Sequence, residues 1–266
     1  MSVLVVIPAR YASTRYPGKP LVVLKGATGD EKTLIRRSWD AAIGAKGVDR
    51  VVVATDDDRI AAHAEGFGAE VVMTSEACAN GTERCADAIT RLGVSPEIVV
   101  NLQGDAPLTP HWFVENLVDG LRADPNADLA TPVLRCDGRT LGALLADRKA
   151  GRVGGTTAVF GAARDALYFS KEVIPFTGAA YGDDDETPVF HHVGLYAYRP
   201  DALRAYADWP VGPLERLEGL EQLRFVENNK RVLCVEVEGK GRAFWELNNP
   251  EDVPRIEAML SEMGQA

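Results

Sequence analysis

Short apolar runs rich in valine and isoleucine alternate with segments of helical periodicity in the first half of the chain. Four runs are apolar at almost every position: VLVVIP (3–8), RVVVAT (50–55), AEVVMT (69–74) and EIVVNLQ (97–103). Strands that are buried on both faces of a parallel sheet have this composition. Between the runs, Leu, Ile and Ala recur at helical spacing in 32–45, 58–67 and 82–92. This alternation predicts right-handed βαβ units in a doubly wound α/β sheet.

After about residue 125 the alternation becomes irregular. DLATPVLR (128–135) and HVGLYAYR (192–199) are still typical of strands, and glycine-rich segments lie between them. We expect the acidic run Asp183–Glu186 to be a solvated loop. Near the C-terminal end, the sequence predicts a helix with Asn249 as N-cap and Pro250 in its first turn. Since neither an internal repeat nor a flexible linker is evident, we predict a single domain, 1–266.

Composition and charge narrow the class of protein. With 266 residues, of which 46% are hydrophobic, the chain can bury a substantial core. A net charge of −10 gives no general attraction to nucleic acid or to an anionic membrane. No signal-peptide pattern and no apolar window of about eighteen residues is present, so we expect a cytoplasmic protein without a membrane span. The four cysteines form no C-x-x-C pair, which favours reduced, mostly buried thiols over a structural zinc site.

One loop is cationic although the chain as a whole carries a negative charge. The stretch VVIPARYASTRYPGKPL (5–21) places Arg10, Arg15 and Lys19 directly after the first apolar run. Arginine binds phosphate oxygens in pairs and lysine adds a compact charge, while ligands of open α/β sheets collect at the carboxyl ends of the strands. We therefore expect this loop to hold a triphosphate. The alternative is a surface loop whose cations pair with acidic residues elsewhere. A Walker A loop and a G-x-G-x-x-G motif are both absent, which argues against a P-loop kinase and an NAD-dependent dehydrogenase.

Two further motifs carry candidate chemistry. NLQGDAPLTP (101–110) follows the fourth apolar run, and from there Asp105 can project into the same crevice. Mg²⁺ prefers one or two carboxylates together with phosphate oxygens and water; alternatively, Asp105 caps a helix that begins near Pro110. NGTERCAD (80–87) is a turn that leads into a helix with Arg84 in its first turn. The first amides of that helix could meet a base edge or a phosphate, although the same letters also describe an ordinary capped helix.

Taken together and in this order, eight motifs resemble those of the 3-deoxy-manno-octulosonate (Kdo) cytidylyltransferases, over nearly the full length of the chain. They are IPARYASTRYPGKPL (7–21), VVATDDDRI (52–60), NGTERCADA (80–88), VNLQGDAPL (100–108), ALYFSKEVIPF (166–176), HHVGLYAYR (191–199), LERLEGLEQLR (214–224) and NNPEDV (248–253). The resemblance implies a GT-A-like, Rossmann-like nucleotidyltransferase fold, with a mostly parallel central sheet flanked by helices and usually a homodimer. It also implies Mg²⁺-dependent transfer of CMP from CTP to the anomeric hydroxyl of Kdo, with release of pyrophosphate, for lipopolysaccharide or capsule synthesis.

The resemblance also implies roles for individual residues, with nucleotide binding in about 1–125 and sugar-acid binding and dimer contacts in about 126–266. The catalytic set is Arg10, Lys19 and Asp105. The nucleotide-binding set is Pro8, Ala9, Arg10, Arg15, Lys19, Asn80, Gly81, Thr82, Arg84 and Gln103. The sugar-acid set is Arg15, Gln103, Lys171, His192, Tyr196, Glu215 and Gln222, and the Mg²⁺ ligands are Asp105 and Asn248.

Three departures from the family pattern lie in the sugar-acid and metal half. Asn248 stands where the family usually has a metal-binding Asp, and Glu246 could substitute for it. Lys171 replaces the usual Arg, which changes a bidentate grip on a carboxylate into a single contact. GRVGGTT (151–157) replaces the usual N-P-N-x-V-K segment. These departures leave two alternatives open: activation of another acidic acceptor, such as a sialic-acid-like sugar, and an inactive CTP-binding homologue.

Overall fold

A computed structural model describes residues 2–12, 16–104, 107–153, 155–241, 247 and 249–265. The strands within these ranges are β1 (Val3–Ala9), β2 (Val23–Lys25), β3 (Glu31–Thr33), β4 (Arg50–Thr55), β5 (Glu70–Met73), β6 (Ile98–Leu102), β7 (Leu129–Asp137), β8 (Thr156–Phe160), β9 (Ala166–Ser170), β10 (Glu186–His192), β11 (Leu195–Tyr198) and β12 (Val232–Glu236). The helices are α1 (Leu34–Ile43), α2 (Asp58–Gly66), α3 (Gly81–Leu92), α4 (His111–Ala123), α5 (Gly138–Lys149), α6 (Pro200–Asp208), α7 (Pro213–Glu218), α8 (Leu223–Glu227) and α9 (Asp252–Glu262). None of these helices is long and apolar enough to cross a membrane.

One large sheet runs through both halves of the chain, in the order β5-β4-β1-β6-β11-β7-β10-β8-β9. In the first half, β5, β4, β1 and β6 are all parallel, as the apolar runs predict. The remaining strands of this order join by antiparallel pairing, and β12 returns parallel to β7. The predicted α/β fold with a central parallel sheet is therefore confirmed, and the second half extends it with antiparallel strands.

Strand β1 separates two apolar layers. All seven of its residues are buried. Val3, Val5 and Ile7 point to a core shared with α1, α2 and α4, while Leu4 and Val6 point to a core shared with α3, α6 and α8. Because successive side chains of a strand face opposite sides of the sheet, this strand contributes to both layers. The result is a sheet with helices on both faces.

The predicted elements of the first half agree with the structure to within two residues at each end. The C-terminal helix begins later than the sequence predicts. It begins at Asp252 with Glu251 as its N-cap, so the predicted N-cap Asn249 is wrong. The physical reason is a preceding turn, in which the carboxylate of Asp252 accepts the backbone N–H of Asn249 at 2.7 Å. Pro250 therefore lies in that turn and not in the helix.

Helix α9 packs against the hairpin formed by β2 and β3. Their shared apolar cluster includes Leu24, Leu108, Leu247 and Ile256. Two further contacts join the same parts of the chain: the N–H of Lys25 donates to Glu257 at 2.9 Å, and the N–H of Ala27 donates to the carbonyl of Gln265 at 2.6 Å. The end of the chain thus covers an element formed near its beginning.

The thiols behave as the composition predicts. All four cysteines are free, and Cys85, Cys136 and Cys234 are buried. Burial raises the pKa of Cys136 to about 11 and that of Cys234 to about 12. These two thiols are therefore protonated near neutral pH and serve as small apolar groups in the core.

The acidic run after residue 182 caps the start of α5 with its backbone. The carbonyl oxygens of Asp183 and Asp185 accept the N–H groups of Arg139 and Gly138, each at 3.0 Å. The side chains of Asp183 and Asp184 are exposed, in agreement with the predicted solvated loop, but Glu186, the last residue of that prediction, begins β10. The aspartate side chains of this loop are thus solvated, while its backbone carbonyls are hydrogen-bonded to the start of α5.

We predict that Gly138→Ala destabilises the protein, because a Cβ at this position would overlap the carbonyl oxygen of Gly182. Overpacking of this kind typically costs about 1–3 kcal/mol. Gly142→Ala in the same helix is the matched control, since nothing lies within 4 Å of its Cβ position, and alanine there should be neutral or stabilising by about 0.5–1 kcal/mol. Thermal unfolding of the two variants is the measurement, and equal midpoints would contradict this packing.

Candidate active site

The crevice at the carboxyl ends of β1 and β6 is where the strand order reverses. From β1 the chain adds β4 and β5 on one side and then crosses to β6 on the other. Open α/β sheets bind ligands at this kind of position. The two strand ends approach closely: a Cβ on Gly104 would lie 2.9 Å from the carbonyl oxygen of Pro8. A glycine after β6 thus lets the two strand ends meet at the crevice.

The cationic loop starts at this crevice. Pro8 and Ala9 end β1 and are buried, whereas Arg10 is exposed. Lys19 begins a 3₁₀ turn after Gly18, which has a φ of +70° that only glycine adopts readily. Arg15 lies outside the described residues. The structure therefore places Arg10 at the end of the central strand, with Lys19 on a defined turn of the same loop.

Tyr11 anchors this loop from inside. Its carbonyl accepts the N–H of Gly18 at 2.9 Å, and its ring lies 3.0 Å from the Cβ position of Gly18. The guanidinium of Arg59 lies 3.3 Å from the centroid of the same ring and is held by Asp57. Cation–π stacking is strongest with a well-placed guanidinium. The loop between β1 and the 3₁₀ turn is therefore tied to the start of α2.

Two of the first amides of α3 are already hydrogen-bonded within the protein. The side chain of Asn80 is the N-cap and accepts the N–H of Glu83 at 2.8 Å. The N–H of Thr82 donates to the carboxylate of Glu221 at 3.0 Å. These two amides are therefore not free to meet a phosphate, contrary to the hypothesis drawn from the turn–helix motif. The assignment of Asn80, Gly81 and Thr82 to the nucleotide stays a prediction.

Arg84 is buried, with only 3% of its side chain exposed. Its guanidinium pairs with Asp56 at 2.7 Å, after β4, and also donates to Thr74, after β5. A buried ion pair with this geometry fixes α3 to the ends of two neighbouring strands. Its proposed place beside the cytosine or ribose stays a prediction.

A row of polar side chains lines the strand ends on the sugar-acid side. Gln103, just beyond β6, donates from Nε2 to Glu221 at 3.0 Å, and the hydroxyl of Tyr196 donates to Gln222 at 3.1 Å. The ring centroids of His192 and Tyr196 lie 5.7 Å apart. We name these five residues the polar wall. Four of these residues are predicted from the sequence as site residues, but Glu221 is not. Its only signal in the sequence is its place in the motif LERLEGLEQLR.

Glu221 and Gln222, two neighbouring members of the polar wall, differ in whether their polar atoms have hydrogen-bond partners. Burial raises the pKa of Glu221. The Nε2 of Gln222 is buried and has no hydrogen-bond partner among the described residues. A buried donor without a partner is unfavourable by about 1–3 kcal/mol, so a bound group or an ordered water completes such a site. Gln222 thus fits its predicted place in the sugar-acid pocket.

His192 is a buried, neutral imidazole. Burial, reinforced by the neighbouring His191, lowers the pKa of His192 to about 3. Its Nε2 lies 2.8 Å from the hydroxyl of Thr131, which is also within 2.9 Å of the carbonyl oxygen of Leu195. A general base at neutral pH needs a higher pKa. The contact of His192 with a sugar acid stays a prediction.

Glu215 is already engaged in a buried ion pair. Its carboxylate binds Arg224 through two hydrogen bonds of 2.6 and 2.7 Å, and Arg224 also bonds Glu83 at 3.0 Å. The guanidinium lies 4.0 Å from the ring centroid of Tyr206. Sequence analysis missed Arg224, which is 2% exposed. The contact of Glu215 with a sugar acid stays a prediction, and in this structure the residue supports Arg224.

Lys171 lies next to the turn between α7 and α8. Its N–H donates to Glu218 at 2.9 Å, and its Nζ lies 3.1 Å from the Cβ position of Gly219. The chain continues from this turn to Gln222 of the polar wall. Its role with a carboxylate ligand stays a prediction.

The predicted metal ligands Asp105 and Asn248, and the alternative ligand Glu246, lie outside the described residues. Nearby residues of both segments, Leu108 and Leu247, share one apolar cluster. The N-cap of α4 is Pro110, and the alternative role of Asp105 as a cap of this helix likewise lies outside the described residues. The described part of the chain contains no group of three or more His, Cys, Asp or Glu residues that could hold a metal.

Comparisons with known proteins agree with this architecture. The cytidylyltransferase family profile matches residues 4–232. The 3-deoxy-manno-octulosonate cytidylyltransferase of Maricaulis maris (strain MCS10) is 45% identical over 265 residues, which cover 100% of this chain and 99% of the relative. The Zea mays protein of the same name is 37% identical over 255 residues, which cover 96% of this chain and 80% of the relative.

A solved structure gives the same result. CMP:2-keto-3-deoxy-manno-octonic acid synthetase complexed with CTP superposes with a TM-score of 0.83 and 32% identity, and the match covers 99% of this chain and 100% of that one. The 4-diphosphocytidyl-2C-methyl-D-erythritol synthase of Anaerococcus prevotii, at 12% identity and a TM-score of 0.58 over 97% of this chain and 98% of that one, shares the fold alone. The chain thus belongs to the 3-deoxy-manno-octulosonate cytidylyltransferase family, a family of nucleotidyltransferases.

Proposed function

We propose that the protein transfers CMP from CTP to the anomeric hydroxyl of Kdo and releases pyrophosphate. The observation that carries the proposal is the position of the cationic loop, with Arg10 at the carboxyl end of β1 and Gln103 at the adjacent end of β6. Cations on one side of this crevice suit a triphosphate, and the polar wall on the other suits a polyhydroxylated acid. The name and full-length match of the relative from Maricaulis maris support the same substrates.

The chemistry needs alignment and charge neutralisation more than a covalent nucleophile. The anomeric oxygen attacks the α-phosphorus of CTP, a new P–O bond forms, and the bond to the β-phosphate oxygen breaks as pyrophosphate leaves. The hydroxyl proton passes to water. Arg10 and Lys19 hold the triphosphate and stabilise the charge that develops on pyrophosphate. His192, which is neutral, orients the sugar acid through a hydrogen bond.

The residues of the predicted metal site suit Mg²⁺ by the chemistry of their donor set. A carboxylate from Asp105 and an amide oxygen from Asn248 are hard oxygen donors of the kind that Mg²⁺ prefers. When bound, Mg²⁺ supplies Lewis-acid stabilisation of phosphate charge. We place the reaction in the cytoplasm, where CTP is available and free thiols persist, and propose that its product supplies lipopolysaccharide or capsule synthesis.

A second candidate is activation of another acidic acceptor, such as a sialic-acid-like sugar. Lys171, which stands where the family usually has Arg, favours this candidate. An ammonium group binds a carboxylate through a single contact, whereas a guanidinium binds it through two. An assay of CTP-dependent pyrophosphate release with a panel of sugar acids separates the two candidates. CTP binding by calorimetry without turnover of any acid would instead identify an inactive homologue.

We predict that Lys19→Met lowers kcat/KM by about 100-fold or more, because it removes a cation from the leaving group, where one well-placed donor is worth about that much. Lys25→Met is the matched control: it makes the same change at an exposed position on β2. Pyrophosphate release at saturating Mg²⁺ is the measurement. Equal activities of the two variants would contradict the role of the cationic loop.

We predict that Asp105→Ala abolishes turnover, since it removes the carboxylate expected to hold Mg²⁺. Asn248→Asp should keep or raise metal affinity, because it adds a negative charge at a ligand position. If Glu246 has replaced Asn248, Glu246→Gln will be as damaging as Asp105→Ala. Titration of activity with Mg²⁺ distinguishes these cases, and full activity of Asp105→Ala would overturn the metal site.

We also propose that the protein is a homodimer joined through its second half. Phe176, Leu167 and Leu217 are apolar side chains with exposed fractions of 93%, 64% and 83%. Leu167 lies on β9, and Leu217 precedes Glu218, which bonds residues of the same strand. Exposed apolar side chains gathered on one region of a protein are typical of interfaces.

Sedimentation velocity tests the dimer. We expect the unaltered protein to sediment as a dimer and Leu167→Glu combined with Phe176→Glu to sediment as a monomer, because charges at an interface lose their hydration. Ile43→Glu is the control, since Ile43 is an apolar residue of the first half that is 51% exposed. A monomeric unaltered protein, or a dimer unaffected by the double substitution, would contradict this interface.

A further inference from the structure

Arg59 is a cation near the crevice whose guanidinium is already engaged. It lies in the first turn of α2, just beyond the carboxyl end of β4, the strand next to β1. Its Nε and Nη2 atoms donate to the two carboxylate oxygens of Asp57 at 3.0 and 2.6 Å. Bidentate pairs of this kind fix the plane of the guanidinium as well as its position. The side chain is therefore oriented, although 60% of it is exposed.

Asp57 is itself held in place. It is the N-cap of α2, and its Oδ1 also accepts the backbone N–H of Arg59 at 3.0 Å. The backbone N–H of Asp57 donates to the hydroxyl of Thr55, the last residue of β4, at 3.2 Å. The hydrogen bond from the Arg59 side chain lowers the pKa of Asp57, so its carboxylate is ionised near neutral pH. The ion pair thus takes its position from β4 and from the start of α2.

The guanidinium lies on the ring of Tyr11, the second residue after β1. The carbon atom of the guanidinium is 3.3 Å from the centroid of this ring. The same ring reaches across the loop to Gly18, since its Cε2 and Cζ atoms lie 3.0 and 3.1 Å from the Cβ position there. A backbone hydrogen bond of 2.9 Å from Gly18 to the carbonyl of Tyr11 joins the same two residues. The ring therefore contacts both Arg59 and the far end of the cationic loop.

Lys19 directly follows this contact. Its N–H donates to the carbonyl of Tyr16 at 3.3 Å, and its own carbonyl accepts the N–H of Val22 at 3.1 Å. The 3₁₀ turn that these bonds define starts from Gly18, whose φ of +70° and lack of a side chain let the backbone lie against the ring of Tyr11. A shift of the ring would therefore shift the start of the turn that carries Lys19.

We propose that Arg59 is a positioning residue for the triphosphate: it holds the ring of Tyr11, and through that ring it fixes the turn from which Lys19 reaches the phosphates. Arg59 does not itself contact the phosphates, because Asp57 binds two of its donors and balances its charge, and the ring covers one of its faces. A loop that already has its bound arrangement binds more tightly, because it loses less conformational freedom on binding. The proposal rests on the proposed function, since it takes CTP as the ligand of the cationic loop.

Calorimetry of CTP and CMP binding to the unaltered protein and to Arg59→Met tests the proposal. Methionine keeps apolar contact with the ring but removes the charge and the pair with Asp57. We expect the Kd for CTP to rise about fivefold, the size of one exposed cation–π contact. The Kd for CMP should change by less than about twofold, since CMP lacks the phosphates that Lys19 holds. Equal losses for the two nucleotides would overturn the proposal.

Arg59→Lys separates the orientation of the side chain from its charge. Lysine keeps the positive charge but has neither the planar face nor the paired donors of a guanidinium. If Arg59 acts by holding the ring of Tyr11, Arg59→Lys loses as much CTP affinity as Arg59→Met. Full CTP affinity of Arg59→Lys would mean that the charge alone attracts the phosphates, and this result would overturn the proposal.

Tyr11→Leu and its combination with Arg59→Met show whether the two residues act together. If Arg59 acts only through the ring, the double variant has the same Kd for CTP as Tyr11→Leu alone, whereas additive increases would contradict the proposal. Arg36→Met is the matched control, because Arg36 also lies on an aromatic ring, that of Trp39 at 4.8 Å, and pairs with Asp40, but belongs to α1. It should bind CTP as the unaltered protein does.

Thermal unfolding and the transfer assay separate this inference from the function on which it rests. A lower unfolding midpoint of Arg59→Met with unchanged CTP affinity would assign Arg59 to the stability of α2 and overturn the proposal. The expected pattern of CTP binding without pyrophosphate release in the presence of Kdo would support the inference and overturn the proposed function. No binding of CTP to the unaltered protein would overturn both.

Discussion

The candidate active site depends on a single constraint, the complete enclosure of β1. This strand is hydrogen-bonded to β4 on one edge and β6 on the other, and both of its faces are covered by apolar layers. A strand without a free edge or a solvated face cannot shift its register without exposing its side chains. Its carboxyl end is therefore a fixed point, and the cationic loop and the end of β6 take their positions from it.

Buried charge then connects the first half of the chain to the second. Arg224, on α8, bonds Glu83 on α3, while Glu221 bonds the same helix at Thr82 and the end of β6 at Gln103. Each bond joins segments more than a hundred residues apart in sequence. Breaking one partner of a buried ion pair leaves an uncompensated charge, so these contacts resist relative movement of the two halves. The two halves thus share one support.

The first half of the fold could be predicted from sequence because its signals are local. A short run such as VLVVIP is typical of a strand buried on both faces, and the loop that follows it is then expected at the carboxyl end of the strands, where ligands bind. The antiparallel pairing of β7 with β10 and β11 could not be predicted, since a strand pattern does not name its partner. Glu221 and Arg224 were missed for a related reason: acids and bases at helical spacing look like a solvated face, and burial depends on distant elements.

The contact between α9 and the β2–β3 hairpin has a consequence for synthesis. The hairpin is complete once the first few dozen residues have emerged, but part of the apolar cluster around Leu24, including Ile256 and Leu260 of α9, comes from much later in the sequence. Translation proceeds from the N-terminus, so the apolar face of the hairpin stays exposed while the rest of the molecule is made. During that interval the nascent chain exposes an aggregation-prone apolar surface next to the parallel sheet. Helix α9 thus completes the apolar cover of a hairpin that is made much earlier.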